Sequence, residues 1–368
     1  MNEIRLLLGG DVMTGRGIDQ LLRHPGDPVL YESYVHDARA YVRLVERVSG
    51  RIRKPVGDTY IWGEALAELD RFGPDVRIIN LETSITTSDR PWPAKGIHYR
   101  MHPGNIGCLT AAKIDCCCLA NNHVLDWGRE GLRETLASLA GAGIRTAGAG
   151  LNASHAHTPA VLPIPDQGRV LVFAVGSETS GIARAWAATD DRSGLWLLPD
   201  LSPATAEHLA TIARQARQPG DVVIVSIHWG GNWGYDIPAE QRAFAHRLID
   251  AGIDVVHGHS SHHVKAIERY RDRLILYGCG DLITDYEGIG GHDAFRGDLA
   301  LLYLATIEPD SGRLVQLQLV PLRMHRFRLT RPSRADIRWL TDRLNAESNP
   351  FGTRIQRDGE RRLQVSSL

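Results

Sequence analysis

CCCLANNHVLDWGREGLRE, residues 116–134, is the stretch from which the rest of the chain is read. It starts as an apolar run at Cys116 and breaks at Asn121-Asn122-His123. It resumes as a helix over 129–142, with Leu132, Leu136 and Leu139 at helical spacing. A buried strand that ends in polar side chains and turns into a helix is a unit of the open α/β sheet, which gathers its ligands beyond the carboxyl ends of its strands. The pattern recurs outward in both directions. Apolar runs lead from Leu6–Leu8 to Asp11, from Val76–Leu81 to Glu82, from Val222–Ile227 to His228, and from Ile253–Val256 to His257-Gly258-His259. Five strand ends that each carry a metal-type donor predict an active site at their common edge.

The remaining elements follow the same alternation. Helices are expected over 63–72, 203–217 and 238–251, and further strands over 170–176, 273–279, 299–307 and 314–323. The spacing of the last three strands is hairpin-like and predicts antiparallel pairing. Residues 19–65, with Tyr31, Tyr34, Tyr41, Tyr60 and Trp62, read as an excursion over the site. Residues 86–105 form a long loop carrying Trp92, Lys95, His98, Tyr99 and Arg100, of the kind that often serves function. The Gly148–Gly150 turn opens no helix fingerprint, which argues against a dinucleotide site. The expected organisation is one α/β catalytic domain over residues 1–330 and an arginine-rich helix and strand appendage over 331–368.

With 368 residues the chain can bury a large core. A net charge of −1 and a pI near 7.0 speak against a nucleic-acid groove or a polybasic membrane patch. No apolar run approaches the roughly 18–20 residues that span a bilayer, and the opening MNEIRLLLGGD is too short for a signal peptide. A cytoplasmic protein is expected. The five cysteines lack the paired spacing of a zinc or redox centre, so they read as small buried side chains in a reducing compartment.

GDVM at 10–13, NLE at 80–82, NNHVLDWG at 121–128, HWG at 228–230, GHSSH at 258–262 and IERY followed by LILYGCGD ending at Asp281 stand in order along the chain. Together they are similar to the CapA-type family of bacterial capsule and poly-γ-glutamate synthesis proteins. That family resembles the calcineurin-like metallophosphoesterases in fold, and the resemblance covers residues 5 to about 325. It implies a layered sandwich of central β-sheets flanked by helices. It also implies metal ligation by Asp11, Glu82, Asn122, His228 and His259 or His262, with His123 as acid or base. Asp126 either orients His123 or caps the next helix. His257 and His263 are candidates for supporting roles around the ligands. The chain departs from the phosphoesterase pattern at Met13, where those enzymes hold a histidine, and at Glu82, where an aspartate is usual. It has Asp281 where CapA relatives often have asparagine. The lost donor at position 13 points to a single divalent ion, Ca²⁺, Mn²⁺, Mg²⁺ or Zn²⁺ by donor type.

Three functions follow as expectations. The first is metal-assisted acid/base chemistry on a peptide or peptide-like substrate, with Cα epimerisation in a ribosomal peptide precursor as the leading case. His123 and His259, backed by Asp11, Asp126 or Asp281, would work opposite faces, and Trp92, Trp229, Trp233 and the tyrosines near 31–62 would line the cleft. The second is metal-dependent hydrolysis of a phosphoester, a γ-glutamyl bond or another amide. The third is a non-catalytic accessory role in polymer synthesis.

Overall fold

The computed structural model describes residues 3–367. Its centre is two β-sheets lying face to face. In the first, the order runs Thr353–Asp358, Arg362–Ser367, Arg313–His325, Leu299–Glu308, Ile4–Val12, Val76–Leu81, Cys116–Cys118 and Arg145–Ala147. The last four of these run parallel and the others pair antiparallel. In the second, the order is Ile267–Tyr270, Arg273–Leu276, Val255–His259, Val222–His228, Gly168–Gly176 and Ala160–Ile164, parallel through its middle.

Side-chain alternation explains the layering. Successive strand residues point to opposite faces. In the second sheet Val170, Val172, Ala174, Val222, Ile224 and Val255 turn toward the first sheet and share one core with it. Their neighbours Leu171, Phe173, Val175, Val223, Val225, Ile227 and Val256 turn outward against helices Pro203–Ala216 and Ala239–Asp250. Leu209, Phe244 and Leu248 on those helices are buried, and each such side chain contributes about 1.5–3 kcal/mol by leaving water. The helix Pro203–Ala216 starts where Ser202 caps the backbone of Thr205 and Pro203 supplies the first turn. Helix Gly128–Gly141 buries Leu132, Leu136 and Leu139 in the core of the first sheet. This is the mixed, layered α/β fold that the strand ends and the family resemblance imply.

One pairing differs from expectation. Arg273–Leu276 joins the second sheet, parallel to Val255–His259, while only Leu299–Glu308 and Arg313–His325 form the antiparallel hairpin, in the first. The chain changes sheets at Cys279-Gly280, and Asp281–Ile283 then lies parallel to the end of the first strand, with Asp281 opposite Asp11. A side chain on Gly10 would meet the Gly280 carbonyl at 1.8 Å, so this approach requires glycine. The carboxy-terminal helix Arg334–Ser348 opens with a Ser333/Asp336 capping box, and the hairpin after it adds two strands to the edge of the first sheet. Among the described residues no helix is long and apolar enough to cross a membrane.

Candidate metal centre

The alternation that builds the second sheet also aims its donors. Val222 and Ile224 face the first sheet, so Ser226 and His228 do as well; from Val255, His257 and His259 follow in the same way. The first sheet meets them with Asp11, Glu82 and, beyond the Cys116–Cys118 strand, Asn121-Asn122-His123. All are buried at the seam except Asn122, which is half-buried.

Hydrogen bonds tie the two sides together. Asn80 Nδ2 donates to Asp11 Oδ1 (2.7 Å) and Glu82 Oε2 (3.2 Å), and Asn121 Nδ2 holds Asn80 Oδ1 at 3.0 Å. His228 Nδ1 and His259 Nδ1 stand 2.8 Å apart, while Asn122 Oδ1 lies 3.2 Å from His228 Nε2. Ser226 Oγ sits between His259 Nε2 (2.8 Å) and His257 Nδ1 (3.1 Å), and His257 Nε2 reaches the Gly9 carbonyl at 3.0 Å. His262 Nδ1 pairs with Asp281 Oδ1 at 2.9 Å. Ser260, just after His259, has φ +105°, a costly value for a non-glycine residue, and its N–H donates to Asp11 Oδ2 at 3.2 Å.

Among the described residues two groups of three have donor atoms within 4.8 Å of one another: Asp11, His228 and His259, and Asp11, His262 and Asp281. Asp11 belongs to both. Met13 has no side-chain nitrogen or oxygen to offer, while Asp281 and His262 supply a second group beside the first. The set fits a divalent cation on its own chemistry. Burial and the nearby Asp281 push Asp11 up to about 7, and burial with Asp11 and Asp281 pushes Glu82 well up. Burial also raises Asp281, partly offset by His262. Burial drives His228 and His259 well down, toward neutral imidazoles with lone pairs to give. Asp281 Oδ2 is buried without a hydrogen-bond partner. Crowded carboxylates, neutral imidazoles and an orphaned oxygen are what a cation resolves.

His123 stands beside this cluster, its Nε2 3.8 Å from Glu82 Oε1. Its Nδ1 is 2.7 Å from Asp126 Oδ2, which also accepts from the Tyr99 N–H at 2.6 Å. Asp126 therefore orients His123. Burial lowers His123 to about 4 despite that partner. Lys95 Nζ lies 2.6 Å from Asp126 Oδ1 and 3.1 Å from His123 Nδ1. Burial alone would raise Asp126, but His123 and Lys95 hold it below the usual carboxylate range.

Other expected contributors lie elsewhere. Trp229 is buried against Tyr277 and Phe244 in the helix-side core, so it lines no cleft. Trp62 donates to the Cys108 carbonyl, and Tyr60 to the Arg326 carbonyl. His263 is occupied by the Val264 carbonyl and the Gly234 N–H. Trp233 does approach, with its ring 5.4 Å from His262, and Trp92 meets Trp186 edge-on at 5.5 Å. Ser226 is legible in the sequence only through its two-residue offset from His228, which marks the same face. Lys95 carries no such signal, because no periodicity in the 86–105 loop sets its register against His123.

The family model described as "Bacterial capsule synthesis protein PGA_cap" matches residues 5–286. A "Probable polyglutamine synthesis accessory protein" of Mycobacterium tuberculosis is 51% identical over 365 residues, 98% of this chain and 96% of the relative. The PGA biosynthesis protein CapA of Bacillus subtilis is 25% identical over 277 residues, 75% of this chain and 62% of the relative. The capsule biosynthesis protein CapA of Bacillus anthracis is 22% identical over 283 residues, 77% of this chain and 60% of the relative.

Proposed function

The chain belongs to the PGA_cap family of bacterial capsule synthesis proteins, and from that premise we propose that it is a divalent-cation-dependent enzyme that hydrolyses an amide bond in a peptide-like, glutamyl-rich substrate. The observation that carries the reading is the Asp11 carboxylate common to two donor groups, with an oriented His123 beside them. The name of the mycobacterial relative, which refers to polyglutamine synthesis, supports the substrate class.

Asp11, His228 and His259, with Asn122 and Glu82 close by, would hold one cation, and Asp11, His262 and Asp281 a second. A bound divalent cation supplies Lewis-acid polarisation of a substrate oxygen. The protein's own part is proton transfer. Asp126 fixes Nδ1 of His123, so Nε2 is the atom that takes or gives the proton, and Asp126 stabilises the imidazolium that results. Asn80, Asn121 and Ser226 hold the donors in place, as hydrogen-bonded partners of ligands commonly do.

A second reading is inversion at a peptide Cα. The neutral His123 suits it as base. It also needs an acid on the opposite face, and His259, the expected one, belongs to a donor group with Asp11 and His228 while Ser226 holds its Nε2. Hydrolysis needs only His123, and ranks first for that reason. Incubation with α- and γ-linked glutamyl oligopeptides and Mn²⁺ in D₂O, read by mass spectrometry, tests all three functions. Shorter peptides support hydrolysis. Intact peptide that gains a deuteron at one Cα supports inversion, and unchanged peptide leaves the accessory role.

A further inference from the structure

Tyr286 follows the Asp281–Ile283 strand, which places it next to the cluster just described. Its ring meets His262 edge-on, with centroids 5.2 Å apart at 88°. Its oxygen accepts the Tyr99 hydroxyl at 3.0 Å, and its own proton goes to Met13 Sδ at 3.5 Å. A thioether is a weak acceptor, so this O–H is a poorly used donor in a largely buried place. Tyr99 meets His123 in the same edge-on way, at 4.6 Å and 88°. The two phenols thus span from the proposed proton-transfer group to a proposed ligand. Asp281 and Glu82 are near enough to act electrostatically on the Tyr286 hydroxyl.

Arg16 lies behind the pair. Its guanidinium carbon is 4.5 Å from the Tyr99 ring centroid and 5.6 Å from that of Tyr286. It is buried, bound by Asp285 at 2.5 and 3.1 Å and by Glu32 at 2.9 Å, and its backbone has φ +46°. A non-glycine residue keeps that conformation where its surroundings over-determine it. Burial and the nearby Asp281 push the Tyr286 phenol well up, with Arg16 opposing them, so the hydroxyl keeps its proton and remains a donor.

We infer that the Tyr286 hydroxyl is a hydrogen-bond donor to an anionic substrate oxygen at this centre, positioned by Tyr99 and Arg16. The inference rests on the cation-dependent reading of the site. A fixed donor aimed at developing or resident negative charge, in a place sheltered from water, is a strong contribution to binding and catalysis. Met13 matters here as well. In place of a ligand it offers the sulfur that occupies the hydroxyl until an oxygen arrives.

The test is isothermal titration calorimetry of Mn²⁺-loaded protein with inorganic phosphate and with γ-glutamylglutamate. Tyr286→Phe should bind both anions about 10- to 100-fold more weakly, the range for a hydrogen bond to a charged group. Tyr99→Phe should lose less, since the Tyr286 hydroxyl remains. Met13→Leu, which removes the competing sulfur and keeps the packing, should bind the anions at least as tightly as the wild type. Thermal melts of each variant report folding independently. The inference is overturned if Tyr286→Phe binds both anions like the wild type, if Met13→Leu loses as much as Tyr286→Phe, or if the wild type binds neither anion at millimolar concentration. The hydrolase reading fails separately. Loss of anion binding in Tyr286→Phe, with no glutamyl peptide cleaved by the wild type, keeps the donor and removes the hydrolase. Equal cleavage and equal anion binding by both proteins does the reverse.

Discussion

The first sheet ends at the seam in Asp11, Glu82 and Asn122, the second in His228 and His259. Burial acts on the two sides in opposite senses. It raises the carboxyl groups and lowers the imidazoles, so each side is driven toward its neutral form. Their scaffolds also differ. One side-chain amide, Asn80, and the Ser260 backbone N–H hold the carboxylates, whereas the Ser226 hydroxyl steadies His259 and its neighbour His257, and the Asn122 amide oxygen meets His228. A cation can reconcile the halves because it accepts charge from one and lone pairs from the other. The asymmetry teaches that the carboxylate side carries the connection between donor groups, since Asp11 is in both, while His228 and His259 serve one.

The harshest way to break the comparison is Asp11→Asn. It should abolish tight cation retention, a loss beyond about 100-fold in affinity because a shared donor goes rather than a supporting partner. Elemental analysis of dialysed protein checks this, and cation content equal to wild type would remove Asp11 from the ligands. His123→Ala should cut turnover by about 10²–10⁴-fold while leaving cation content unchanged, so steady-state kinetics and elemental analysis together separate proton transfer from ligation. Leu363, buried where the terminal hairpin joins the first sheet, tests the separation of the tail from the seam. Leu363→Ala should cost about 2–5 kcal/mol in denaturant unfolding with no change in cation affinity; a parallel loss of binding would tie the tail to the site. Ser226→Ala sharpens the imidazole side, with cation affinity expected to fall about tenfold by competition with a chelating dye.

The smallest effect lies far from the seam. Burial alone would raise Asp336, but hydrogen bonds from Arg296 and Ser333 bring its carboxyl down to about 2 from 3.8. A lowered folded pKa adds stability that is present above the unfolded value and lost as pH falls through the folded one. The melting-temperature difference between wild type and Asp336→Asn should therefore be steady at neutral pH and shrink between about pH 4 and 2. A difference that stays constant to pH 2 would show that the capping geometry, not the charge, is what stabilises.

Much of this was legible in the chain alone. Apolar runs ending in Asp11, Glu82, His228 and His259 imply strands of an α/β sheet with donors at one edge, because the strand period and the polar break are both local properties. The offset from His123 to Asp126 likewise made an oriented imidazole one of two readings. Other features depend on approaches between distant segments, which no periodicity encodes. The pairing of Asp281 with Asp11 needs the chain to change sheets at Gly280 and pass within touching distance of Gly10. That crossing puts Asp281 and His262 beside Asp11 and makes a second donor group where Met13 alone suggested one. Lys95 and Tyr286 reach their partners the same way, from loops whose course is set by what they pack against. Strand ends are local and can be read in order, whereas the distances between those ends exist only once the two sheets close on each other.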